Sequence, residues 1–200
     1  MTRLAAFLMC LLLCGPASAS GYGWYVATLD WNALQKLRPQ LDAAVARERK
    51  TSPQYGRDGW EIRALSDALA IDEAPGPGQI ALKDVSPPEL EFYWPDALEY
   101  AYKQQRKAGI ADSGFGLFRQ GRSLWRPDSA SVECGDGEWY CLDAYFFLSP
   151  EEVVQFSAEV KALNARVKHA GDYRDYLTHL QGVLRDAVAA KQGLYFYGHD

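Results

Sequence analysis

The chain lacks an apolar run long enough to cross a bilayer. Leu4–Leu13 stops at ten residues, where a spanning helix needs about 20. Histidine is scarce: His169, His179 and His199 are the only three in 200 residues. None sits in an HExxH or similar ligand spacing, so no metal site is assigned. GxSxG, Ser-x-x-Lys, GxGxxG and P-loop patterns are all missing, which removes the common hydrolase elbow and the phosphate-cradling loops. No basic run occurs, and the net charge is −5, which argues against nucleic acid and anionic membranes as partners. No internal repeat or low-complexity tract is present. No catalytic residue and no cofactor is assigned from motifs.

What is present begins with a leader. Arg3 supplies a short positive region, Leu4–Leu13 the apolar region, and Ala17-Ser18-Ala19 an A-x-A cleavage site. Cleavage between Ala19 and Ser20 is expected, leaving residues 20–200 as a single domain exported to the periplasm or secreted. The alternative is a lipoprotein leader ending at Cys14, but Leu13 before it is not small. Loss of the leader removes one basic residue and no acidic one, giving 20 basic against 26 acidic and a net charge of −6. A length of 181 residues suits one full core.

Cys10 and Cys14 leave with the leader, so Cys134 and Cys141 remain, in ECGDGEWYC. Gly135-Asp136-Gly137 between them is turn chemistry, and the reading is a hairpin closed by a disulfide. Such a short loop contributes about 2.5 kcal/mol in the chain-entropy description. The alternative, a redox or metal pair, finds no histidine nearby.

The last third carries the clearest pattern: strand, helix, helix, strand. Glu138–Leu148 has no Pro or Gly and is dense in strand formers. Its Tyr140, Leu142, Ala144 and Phe146 form an apolar face. Ser149-Pro150-Glu151-Glu152 reads as an N-cap, a proline at the first helical position and a capping box. Val153, Phe156, Val160, Leu163 and Val167 then make one stripe, predicting a helix that ends near Gly171. Asp172 is expected to cap the next helix, with Tyr173, Tyr176, Leu177, Leu180, Leu184, Ala187 and Val188 as its stripe and Gly193 as its stop. Leu194–Tyr197 is a final strand. Two helices between these strands allow the strands to lie side by side, with the helices on one face.

Upstream, Gly21–Asp30 reads as a strand and Asp30 as the cap of a helix from Trp31. Pro39 predicts a kink, or a second helix starting there and running to about Lys50. Trp60, Ile62, Leu65 and Leu69 suggest a short helix after Asp58. Ile71–Pro88, with APGPGQ and SPP, reads as loop. Pro95 and Asp96 open a helix to about Ala108, with Leu98, Ala101, Tyr102 and Gln105 on one face. Phe115–Arg119 and a segment around Ser131 suggest further strands. The fold class is α+β: a mixed or antiparallel sheet with several helices packed on it.

Three groups of residues invite a functional reading. His169 and His179 could meet across a helical hairpin, but His169 reads more simply as a charge at a helix C-terminus and His179 as a surface or packing residue. Glu89, Glu91, Asp96 and Glu99 surround Phe92-Tyr93-Trp94 and could serve a glycosidase, although 26 acidic residues make such clusters common. Six Trp and twelve Tyr supply core bulk and also interface anchors. Tyr22, Trp24, Tyr55, Trp60, Trp94 and Trp125 fall near turns.

The opening GWYVATLDWNALQKL and the closing LSPEEVVQFSAEVKAL with YLTHLQGVLRDAVAAKQGLYFY resemble the uncharacterised YfbM-like bacterial domains. Those domains open with a similar strand and helix and close on a helix, an Ala-rich helix and a hydrophobic strand. The resemblance covers the two ends of the chain and implies an α+β domain. Its motifs are structural and carry no catalytic residue, and a leader is a departure from the family.

These readings together point to an exported, non-enzymatic binding domain of the cell envelope with a protein partner. Its narrower form is an immunity protein that neutralises a periplasmic toxin. The alternative is an envelope hydrolase acting on glycans through the carboxylates of Glu89–Glu99.

Overall fold

A computed structural model describes residues 23–86, 94–110 and 145–199. The chain order is β1 (Gly23–Leu29), α1 (Trp31–Thr51), a single 3-10 turn (Pro53–Tyr55), α2 (Gly56–Ala68), β2 (Leu69–Ile71), β3 (Ile80–Asp84), α3 (Trp94–Lys107), β4 (Tyr145–Leu148), α4 (Pro150–Arg166), α5 (Asp172–Ala190) and β5 (Gly193–His199). The leader, the Ala19–Ser20 cleavage site, Cys134, Cys141 and the strands expected around residues 115–131 lie outside the described residues.

The sheet has five strands in the order β2-β3-β1-β5-β4. It is mixed: β2 and β3 are parallel, and every other neighbouring pair is antiparallel. The terminal strand-helix-helix-strand unit is present, and its geometry follows from counting reversals. One helix between two strands returns the chain for a parallel pairing; a second helix reverses it again. β5 therefore runs antiparallel to β4, with Phe146 opposite Phe196 and Leu148 opposite Leu194.

Side chains alternate across the sheet, and both faces are covered. Val26, Phe146, Leu148, Leu194 and Phe196 pack with α3, α4 and α5. Ala27, Leu29, Leu82, Phe147, Tyr195 and Tyr197 pack with α1 and α2. The result is three layers, helices on each side of one sheet. On the α1–α2 face, aromatic rings stack in sequence across the strands: Phe147 on Tyr195 at 4.5 Å, Tyr195 on Tyr197 at 5.1 Å, Tyr197 on Tyr25 at 5.5 Å. Burial pushes the Tyr195 and Tyr197 phenols well above the usual tyrosine range.

The local helix signals behave as the sequence implies at two caps. The Asp30 carboxylate accepts from the Asn32 and Ala33 amides at 2.9 and 3.1 Å. Ser149 and Glu152 close the full capping box, with bonds of 2.8 and 3.3 Å.

Elsewhere tertiary contacts override local chemistry. α1 runs through Pro39 as one helix, although Pro39 has no N–H for the Gln35 carbonyl. Leu34, Leu37 and Leu41 are buried on either side of the proline and hold the helix on the sheet. α2 begins at Gly56, ahead of Asp58, and Leu69 belongs to β2 and not to the helix. The expected loop 71–88 contains β3 and the end of β2, joined by a turn that Gln79 organises. Its side chain accepts from the Gly76 amide at 2.8 Å and donates to the Asp67 carbonyl at 3.0 Å. α4 ends at Arg166, five residues before Gly171. Gly171 occupies the N-cap of α5 with no side-chain bond, and Asp172 is already the first helical residue.

Gly193 is not the helix stop. Lys191 takes the left-handed conformation that ends α5, with φ 53° and ψ 40°. Gly193 is instead required by close approach: a Cβ there would lie 2.8 Å from the Leu148 carbonyl oxygen and 3.0 Å from Trp31 Cε3. Gly193→Ala is therefore expected to destabilise the fold by about 2 kcal/mol through overpacking. Lys191→Gly should stabilise it by about 0.5–1 kcal/mol by relieving the left-handed backbone. Urea unfolding of the two variants beside the wild type reads both signs, and a neutral Gly193→Ala would contradict this account.

Candidate functional site

The α1–α2 turn gathers exposed aromatic and cationic side chains. Arg49 and Lys50 stand in the last turn of α1, where cations complement the helix dipole. The 3-10 turn then presents Tyr55, which is 53 % exposed. Gly56, with φ +68°, redirects the chain into α2. Trp60 on α2 reaches back, and its indole N–H donates to the Ser52 carbonyl at 2.7 Å.

Two arginines lie over these rings. The Arg63 guanidinium stands 5.0 Å from the Tyr55 ring centroid, and that of Arg49 stands 5.9 Å from Trp60. Glu48, mostly covered, pairs with Arg63 at 2.9 Å and fixes it over the tyrosine. Gly59 makes room for this stack, since a Cβ there would fall 2.8 Å from the Cβ of Tyr55. A depression of about 580 Å³ adjoins the patch, lined by Asp42, Val45, Ala46, Arg49 and Lys50.

The charge of the patch is opposite to that of the chain. Residues 47–63 hold Arg47, Arg49, Lys50, Arg57 and Arg63 against Glu48, Asp58 and Glu61. Glu48 is engaged by Arg63, and Glu61 is buried. With the Arg63–Glu48 pair set aside as neutral, the segment keeps Arg47, Arg49, Lys50 and Arg57 against Asp58 and the buried Glu61, a local basic excess on a chain of net charge −5. Guanidinium groups bind carboxylates through paired hydrogen bonds, so the patch suits an acidic counterpart.

The other sequence candidates are placed differently. Glu89 and Glu91 lie outside the described residues, as does the Asp96 side chain. Glu99 is on α3 in an ion pair with Lys103 one turn away. Among the described residues no group of three or more His, Cys, Asp or Glu is arranged to hold a metal. Of the aromatics near turns, Tyr55 and Trp60 come together in the patch, while Tyr22, Trp125 and the side chains of Trp24 and Trp94 lie outside the described residues. Arg49, Arg63 and Glu48 were not legible as site residues. The one sequence signal was the four-residue recurrence of Tyr55, Gly59 and Arg63, which stacks them along one helical face.

The two described histidine side chains have separate partners. His179 Nε2 donates to the Val85 carbonyl at 2.7 Å. His169 lies beyond the end of α4, with its Nδ1 3.1 Å from the Tyr100 hydroxyl and with Tyr173 stacked on Tyr100 at 4.0 Å. Its Nε2 is buried without a hydrogen-bond partner among the described residues. Burial holds the imidazole below its ordinary range, so it favours the neutral form and does not serve as a helix-end charge.

No family model matches the chain, and no curated protein or solved structure matches it either.

The His169 environment has a pH consequence. The folded state binds this proton less readily than the unfolded chain, so its contribution is fully present above the unfolded value of about 6.5. It is lost as pH falls from there through the depressed folded value. His169→Asn should therefore lose less stability than the wild type between neutral and mildly acidic pH. Chemical denaturation across that interval measures it, and parallel curves for the two proteins would refute the assignment.

Proposed function

We propose that this chain is an exported, non-enzymatic protein-binding domain of the cell envelope, and that the Tyr55–Trp60–Arg49–Arg63 patch is its contact surface. The observation that carries the reading is the pair of arginines already stacked on aromatic rings before any partner arrives. Trp, Tyr and Arg dominate the energetics of protein interfaces. Holding them in place in the free protein reduces the entropy lost on association. The positive surface on an acidic chain selects a partner with an acidic face and speeds the encounter at low salt. The narrower form of the proposal is an immunity protein whose partner is a toxin acting in the periplasm. Such a role needs only a complementary surface, in keeping with the absence of catalytic motifs from the sequence.

The test is an affinity capture from the native envelope with the chain from Ser20 onward, repeated with Arg63→Ala and with Gly59→Ala. A stoichiometric protein partner with an acidic face should bind the wild type. Each variant should bind it at least about 10-fold more weakly, or about 1.4 kcal/mol. Gly59→Ala is informative because alanine favours the helix by about 1 kcal/mol while displacing Tyr55. It should weaken binding without unfolding the domain. A partner retained equally by both folded variants would remove this surface from consideration.

A further inference from the structure

A second surface lies on the opposite face of the sheet. α3, α4 and α5 cover β1, β5 and β4 there, but the flank of α5 leaves the β1–β3 margin partly open. The opening is a cleft of about 560 Å³. Thr28 and Lys83 are direct cross-strand partners, so both side chains point from the sheet to the same side. That side is the cleft, because Ala27, Leu29 and Leu82 are buried in the other core. Across from them α5 presents His179, Gly182 and Ala187, at spacings that keep one helical face toward the sheet.

The polar groups divide into committed and uncommitted sets. Ser86 Oγ accepts from the Val26 amide at 2.8 Å, and His179 Nε2 is held by the Val85 carbonyl. That second bond places the proton on Nε2, so Nδ1 is the remaining imidazole position. Asp186 at the rim is engaged by Arg185 at 2.8 Å. The Lys83 ammonium, the Thr28 hydroxyl and the Gln192 side-chain amide make no hydrogen bond or ion pair with described residues. Between them and α5 the lining is small: a Cβ added at Gly182 would meet nothing within 4 Å.

From this arrangement we infer a binding site for a small organic monocarboxylate with an apolar body. Lys83 and Thr28 take the carboxylate, and the Gly182–Ala187 side of α5 takes the apolar part. One cation that no described carboxylate engages matches one negative charge. A phosphate dianion would carry a second charge toward Asp186. The volume lies within the range of small-molecule sites, and a few placed polar groups over an apolar floor is their usual composition. The site is independent of the α1–α2 patch, which lies in the other helical layer.

The test uses hexanoate, hexyl phosphate and hexanol as probes, titrated into the isotopically labelled chain from Ser20 onward and followed by amide chemical shifts. Hexanoate should give saturable shifts confined to Thr28, Lys83 and the 179–192 stretch, with Kd about 1 mM or tighter. Lys83→Met, which keeps the stem and removes the charge, should weaken it at least about 10-fold. Gly182→Leu, which fills the cleft, should abolish it. Equal binding of hexanol, tighter binding of hexyl phosphate, unsaturable shifts, or binding that survives both folded variants would each overturn the assignment.

Discussion

The pairing of the first described strand with the last holds this structure together. β1 and β5 form seven antiparallel pairs, from Gly23 opposite His199 to Leu29 opposite Gly193. They lie at the centre of the sheet, with β3 and β2 added on one side and β4 on the other. Val26 and Phe196 enter one core, and Ala27 and Tyr195 enter the other. Neither core closes until strands about 170 residues apart have met, because each draws on both strands. Pairing at that separation carries a loop-closure cost before its contacts return anything, and folds governed by it form slowly. The two helical layers therefore depend on one long-range ladder rather than on each other.

This dependence explains which signals could be read in advance. Caps and boxes are local: Asp30 needs only Asn32 and Ala33, and Ser149 needs only Glu152, so composition and spacing suffice. The strand-helix-helix-strand unit was also legible, because its stripes are long and its breaks carry Pro or Gly. The errors share one cause. Pro39 breaks an isolated helix, but here Leu34, Leu37 and Leu41 hold α1 on the sheet from both sides. Gly193 resembles a helix stop, yet it is glycine because β4 and Trp31 approach its backbone. β2 and β3 hide in a segment rich in Pro and Gly because three- and five-residue strands gain stability from their sheet neighbours, not from their own residues.

The candidate binding surface shows the same boundary between local and distant information. Tyr55 and Trp60 could be picked out as aromatics near turns. The arginines that pair with them could not, since Arg49 and Glu48 come from the end of α1 and Arg63 from the second half of α2. Only the helical hairpin brings them together. Burial works in the same way on His169. A histidine after a basic helix end suggests a charge, but Tyr100, itself backed by Tyr173, packs against it, and this burial favours the neutral ring.

The layered arrangement also bears on how far the two surfaces can influence each other. The patch belongs to the α1–α2 layer and the cleft to the flank of α5, with the sheet between them. Thr28 lines the cleft, while Ala27 and Leu29 on either side of it enter the α1–α2 core. A side chain on a strand is joined to its opposite face only through the backbone, and β1 is held on both sides by ladder hydrogen bonds. A close-packed interior resists small displacements and transmits strain only when an element has two arrangements to choose between. The ladders on both sides of β1 hold Thr28 and its neighbours in a single register. Occupation of the proposed cleft is therefore expected to leave affinity at the proposed patch unchanged.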